Sequence, residues 1–143
     1  MSNDANTVGP FEEKTYVGFI HTDTQMLDML DGCGCTDGVD HPVVKVLQPG
    51  KIIGQENDTL PPRLDLRNHS PDGFSWGYGG SGPAQLALAI LADAIGDERA
   101  LAIYQDFKWK VVSRFDIASS WNLPLSKVME VVNRLEADRK VEI

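Results

Sequence analysis

The sequence predicts an α+β domain, with a small antiparallel sheet from the N-terminal half packed on a helical C-terminal half around one buried central helix. Three observations carry this reading. The first half alternates apolar and polar residues with period two, the period turns helical after residue 82, and residues 84–95 are apolar nearly all round. A chain of 143 residues is long enough to bury a core without disulfides or metal ions.

Residues 1–13 carry no periodicity and read as a flexible arm, leaving 14–143 as a single α+β domain. The β-branched and aromatic run TYVGFIH predicts a strand from Thr15 to His21. Residues 22–41 hold five aspartates and no basic residue, an acidic loop insertion with one helical turn around Met26, Leu27 and Leu30. Val43, Val44, Val46 and Leu47 around Lys45 predict a largely buried strand closed by a turn at Pro49-Gly50, with KIIGQ as its hairpin partner. Leu64 and Leu66 alternate with Arg63, Asp65 and Arg67, which predicts a last short strand.

The central helix is expected from Pro83 to Ile95, with Gly82 as its N-cap and Gly96 just past its end. Asp97 then serves as N-cap of an amphipathic helix whose Ala100, Ile103, Tyr104, Phe107 and Val111 face the first. Ser126 opens a final helix with Val128, Val131, Val132 and Leu135 on one stripe. A second reading of 116–143 is a winged helix-turn-helix, with a short helix near Ile117, a turn at Asn122-Leu123-Pro124, and Lys127, Asn133 and Arg134 as DNA readers. Glu130, Glu136 and Asp138 on the same helix repel phosphates, which favours a packed helix.

Thirteen basic against twenty-one acidic residues give a net charge of −8, which disfavours nucleic acid as a partner of the whole surface. Residues 108–143 depart from this balance, with seven Lys or Arg against five Asp or Glu, so a local anion-facing surface stays open. No apolar run reaches membrane-spanning length and MSNDANTVGP does not resemble a signal peptide, so a cytoplasmic protein without membrane contact is expected. Cys33 and Cys35 flank one glycine and read as free thiols. With His21 and His41 they suggest a tetrahedral metal site, but no second closely spaced ligand pair accompanies them, and a solvated acidic loop is the preferred account.

The most distinctive stretch is HSPDGFSWGYGGSGPAQLALAIL, residues 69–91, where five of the first fourteen residues are glycine and the loop runs straight into the apolar helix. Free amides of Ala84, Gln85 and Leu86 at the helix start suit a phosphate or carboxylate, with Gly79, Gly80, Ser81 and Gly82 leaving room. Trp76 and Tyr78 offer faces for a planar group, and Arg63, Arg67 and His69 supply charge-assisted bonds. The same glycines also serve a purely conformational purpose, and the loop matches neither a P-loop nor a dinucleotide fingerprint. No nucleophile elbow or other catalytic motif is present.

The run RLDLRNHSPDGFSWGYGGSGPAQLALAILAD, followed by Asp97 to Leu101 and Tyr104 to Lys108, resembles a family of small proteins of bacteria, archaea, phages and plasmids that has no agreed activity. The likeness spans residues 62–115, with 22–41 as an insertion, and implies a shared fold and a mobile-element setting. The leading expectation is a non-enzymatic binding module that takes an anionic or nucleotide-like small ligand at the glycine loop and needs no cofactor. Alternatives are a phage- or plasmid-type inhibitor or accessory factor that binds a host protein, and a winged-helix DNA-binding regulator.

Overall fold

The structure, a computed structural model, describes residues 13–21, 41–49, 59–71 and 73–141. Strands β1 (Thr15–His21), β2 (His41–Leu47) and β3 (Trp121–Pro124) form an antiparallel sheet in the order β2-β1-β3. Helices α1 (Ser81–Ile95), α2 (Asp97–Lys110) and α3 (Leu125–Val141) follow the expected succession, with a short 3-10 turn at Val112–Arg114. The α+β class is therefore as predicted. No helix among the described residues is long and apolar enough to cross a membrane.

The sheet presents one apolar face because its register aligns period-two residues in rows. Val46, Tyr16 and Leu123 lie side by side, and Val44, Gly18 and Trp121 form the next row. Trp121 lies across Gly18, where a side chain would collide with the indole. Its ring also stacks on Phe115 at 4.5 Å and meets Trp76 edge-on at 5.5 Å. The sheet face closes over α1, whose residues Gly82 to Ala92 are all buried. Tyr16 donates to the Asp93 carboxylate at 2.7 Å, and Lys14 pairs with the same group at 2.7 Å. Burial, then that hydrogen bond, raises the pKa of the Tyr16 phenol.

Three expectations about the elements are corrected. Residues 64–66 form a turn, not a strand: Arg63 adopts a left-handed φ of 58° directly after Pro61-Pro62, and Leu66 N donates to Arg63 O at 3.0 Å. The third strand comes from Trp121–Pro124, where the alternative winged-helix reading placed a turn between two helices, and residues 117–119 make only turns and a bend. Glu13, assigned to the arm, caps α3 by accepting from Ser126 N at 2.8 Å and Ser126 Oγ at 2.9 Å. The KIIGQ hairpin strand, the Met26 turn and the Cys33/Cys35 segment lie outside the described residues.

Gly96 ends α1 and opens α2. Its φ of 93° suits glycine, its N–H reaches Ala92 O at 3.1 Å, and its carbonyl accepts from Ala100 N at 3.1 Å. The two helices thus pack as a tight antiparallel pair, and Arg99 on α2 forks onto Glu136 of α3 at 2.7 and 2.9 Å.

One buried polar side chain ties the irregular segment before α1 to this helical core. Gln85 is fully buried; its Oε1 accepts from His69 N at 2.7 Å and Ser70 N at 3.1 Å, and its Nε2 donates to Pro62 O at 2.6 Å and Arg67 O at 3.0 Å. That uses the full capacity of one amide. Replacing Gln85 with Leu should lower unfolding stability by about 2–4 kcal/mol in urea titrations, because several partly buried backbone groups lose their partner at once. A loss below about 0.5 kcal/mol, the range of ordinary surface substitutions, would contradict this role.

Candidate functional site

The glycine loop is shaped by rings and backbone lying against it. Gly77 has a φ of 91°, and a Cβ there would fall 2.6 Å from Ile117 Cα. Its N–H reaches Val112 O at 3.1 Å, which fixes the loop to the end of α2. The Trp109 indole covers Gly79 and the Tyr78 ring covers Gly80, each leaving no space for a side chain. Lys108 is buried beneath this layer, donates to Gly79 O at 3.1 Å and lies 4.4 Å from the Trp109 ring centre. Gly82 faces the Ser75 hydroxyl, which in turn bonds the Tyr78 hydroxyl at 2.8 Å.

Most of the predicted anion-gripping groups are spent inside the protein. The helix begins at Ser81 with Gly80 as N-cap, two residues earlier than expected, so the Ala84 amide donates to Gly80 O at 3.1 Å. Gln85 and Leu86 fall within the helix, where amides bond carbonyls four residues back. Pro83 sits in the first turn, where a missing N–H leaves nothing unpaired. Gln85 clamps the 62–70 segment and makes no capping-box bond to the helix start. Trp76 is a core residue, 1% exposed, with Nε1 donating to Ser119 O at 3.2 Å. His69 Nε2 bonds the Tyr104 hydroxyl at 2.7 Å.

Arg63 forks onto Asp65 at 3.0 and 3.1 Å and onto Asp97 at 2.9 Å through two nitrogens. The hydrogen bonds it donates to Asp65 and then to Asp97 raise the guanidinium pKa, and the same bonds hold both carboxyls below their ordinary value. Arg67 is exposed and donates to Leu66 O at 2.8 Å. Of the predicted group, Tyr78 and Ser81 remain exposed at the loop surface, with the glycines Gly79 and Gly80 beneath the rings.

Two residues that sequence reasoning passed over complete this surface. Trp109 is 56% exposed and Ile117 is 59% exposed, beside Tyr78 at 45%. These three are the large apolar side chains that stand exposed among the described residues, and each lies against the loop of residues 77–80. In the sequence Trp109 stands between Lys108 and Lys110, a large apolar residue in a basic run, and that is the signal that would have found it. Asp106, one turn before Trp109, and Asp116, beside Ile117, are also exposed. No group of three or more metal-binding side chains occurs among the described residues.

The model of a family of unknown function, DUF6166, matches residues 45–134. No curated protein and no solved structure matches the chain.

Two outcomes follow from this geometry. Gly77→Ala should destabilise the fold by about 2 kcal/mol or more, through positive φ and the Ile117 backbone together, and by more than Gly73→Ala, which meets open space. Equal effects in thermal unfolding would contradict the packing account. Because Asp65 and Asp97 have lowered pKa values, their pairing with Arg63 stabilises the fold above the ordinary aspartate value of 3.8 and is lost as pH falls through the lowered ones. The stability difference between the native chain and Arg63→Met should therefore be full near neutrality and vanish in stronger acid. A difference that persists there would assign Arg63 a packing role instead.

Proposed function

The chain belongs to this family of unknown function, and from the geometry of its glycine loop we propose that it is a non-enzymatic binding module that docks a partner protein. The observation that carries this reading is the gathering of Tyr78, Trp109 and Ile117, all largely exposed, on one glycine-built face. Exposed apolar clusters of this kind mark interaction surfaces, and tryptophan and tyrosine dominate binding energy at protein interfaces. The rings rest on backbone with no side chains between, so little conformational freedom is lost when a partner covers them.

Charge indicates the chemistry of the occupant. Asp106 and Asp116 stand beside the patch, as do Lys110 and Arg114, which favours a partner surface that is apolar at its centre with charges of both signs around it. Such a face suits the role of an inhibitor or accessory factor of a phage- or plasmid-borne kind. The small-ligand reading at the helix start is less well supported, because Arg63, His69 and Gln85 are engaged internally and the Ala84 amide is helical.

A photo-crosslinking residue in place of Tyr78, introduced into cells of the source organism, tests the proposal. A discrete protein adduct is expected from this position and not from Ala102, an exposed residue of α2. Trp109→Glu or Ile117→Glu should abolish the adduct without lowering thermal stability. An adduct that survives both changes, or none at all, would overturn the reading.

A further inference from the structure

We infer that the groove between α2 and α3 is a second recognition site, for a compact anion carrying two or three linked phosphates. The inference goes beyond the protein-docking face and uses none of its three side chains. The groove encloses about 300 Å³ and is lined by Lys110, Arg114, Lys127 and Arg134 against a single carboxylate, Glu130. Its apolar lining is Val111, Val131 and Leu135, of which Val131 is partly exposed and the other two are buried. A volume of this size, lined by apolar side chains with polar groups around them, is that of a small-molecule site.

The excess of cations is the unusual part. Elsewhere among the described residues Lys14, Arg63 and Arg99 are set against carboxylates, whereas Arg67 and Lys108 each meet a backbone carbonyl singly. In the groove the carboxylate contact is Lys127 to Glu130 at 3.6 Å, and Arg114 reaches only the Trp109 carbonyl at 3.4 Å. Four like charges converge here in a chain of net −8. The helix dipole accounts for Lys110 at the end of α2, but it opposes Lys127, which stands in the first turn of α3. The Glu13 carboxylate at Ser126 and the Glu130 carboxylate offset that conflict, so it is the excess of four cations over the one carboxylate lining the groove that calls for an anion.

Spacing sets the size of the anion. Lys127 and Arg134 are two turns apart on α3, about 10 Å along its axis. That span exceeds one phosphate and suits a short polyphosphate chain. It does not continue into a track for nucleic acid, because in the adjoining stretch, which runs to Trp109, Asp106 and Asp138 balance Lys110 and Arg139. The shared chemistry is the polyphosphate group, whether inorganic or attached to a nucleoside.

Calorimetric titration of the full chain with sodium triphosphate, pyrophosphate, orthophosphate and ADP tests the site. Saturable binding is expected for triphosphate and pyrophosphate, with orthophosphate weaker. Arg134→Ala and Lys110→Ala should each weaken it about tenfold, the loss of one charge-assisted hydrogen bond. Glu130→Gln should tighten it, an effect that damage to the fold does not produce. ADP binding as pyrophosphate does points to the phosphates alone, and tighter ADP binding to a nucleotide source; both agree with the inference. Absence of saturable triphosphate binding, indifference to Arg134 and Glu130, or affinity for single-stranded DNA that grows with oligonucleotide length would each overturn it. Crosslinking at Tyr78 is unaffected by these variants, so the two readings fail separately.

Discussion

The structure depends on burying α1 on every side while keeping a long irregular segment attached to it. An apolar helix surrounded by sheet and helices offers no polar surface on which the residues before it can satisfy their backbone. Gln85 solves this from inside the helix, with one amide serving four backbone groups of residues 62–70. The segment is thereby held without secondary structure of its own, and Arg63 is placed where it can bridge to Asp97 at the start of α2. The glycine loop can then leave this anchored stretch and reach the far side of the molecule in a few residues.

On that far side, backbone and aromatic rings replace the usual side-chain core. Trp76 turns inward onto Trp121, whereas Tyr78, two residues later, turns outward over Gly80. One short loop therefore contributes both to the core and to the exposed face. The buried amine of Lys108 supports the arrangement by bonding Gly79 O beneath the Trp109 ring.

Much of this architecture was legible in the sequence. The apolar run of residues 84–95 marked the buried helix, Gly96-Asp97 marked the junction of α1 and α2, and TYVGFIH marked β1. Elements defined by distant partners were not legible. Trp121–Pro124 is short, contains Asn122 and Pro124, and is a strand only because β1 offers it an edge. Residues 64–66 alternate as a strand does, but two prolines and a left-handed Arg63 turn the chain first. Gln85 offers the sequence reader only a backbone amide near the helix start, because the partners of its side chain lie 15 to 23 residues earlier. For the candidate site, the loop itself was found from its glycines, whereas its exposed partners come from distant segments, Trp109 marked only by the lysines on either side of it and Ile117 by nothing local.

The position of β1 between β2 and β3 has a consequence for how the protein is made. Its second edge is filled by residues 121–124, and the α3 cap is completed by Glu13, 113 residues before Ser126. During synthesis β1 emerges early and waits, with one edge unpaired, until more than a hundred further residues have left the ribosome. Pairing at such separation is slow to nucleate, and an open strand edge invites contact with other chains in the interval. The nascent protein is thus open to misassembly until β3 has been made.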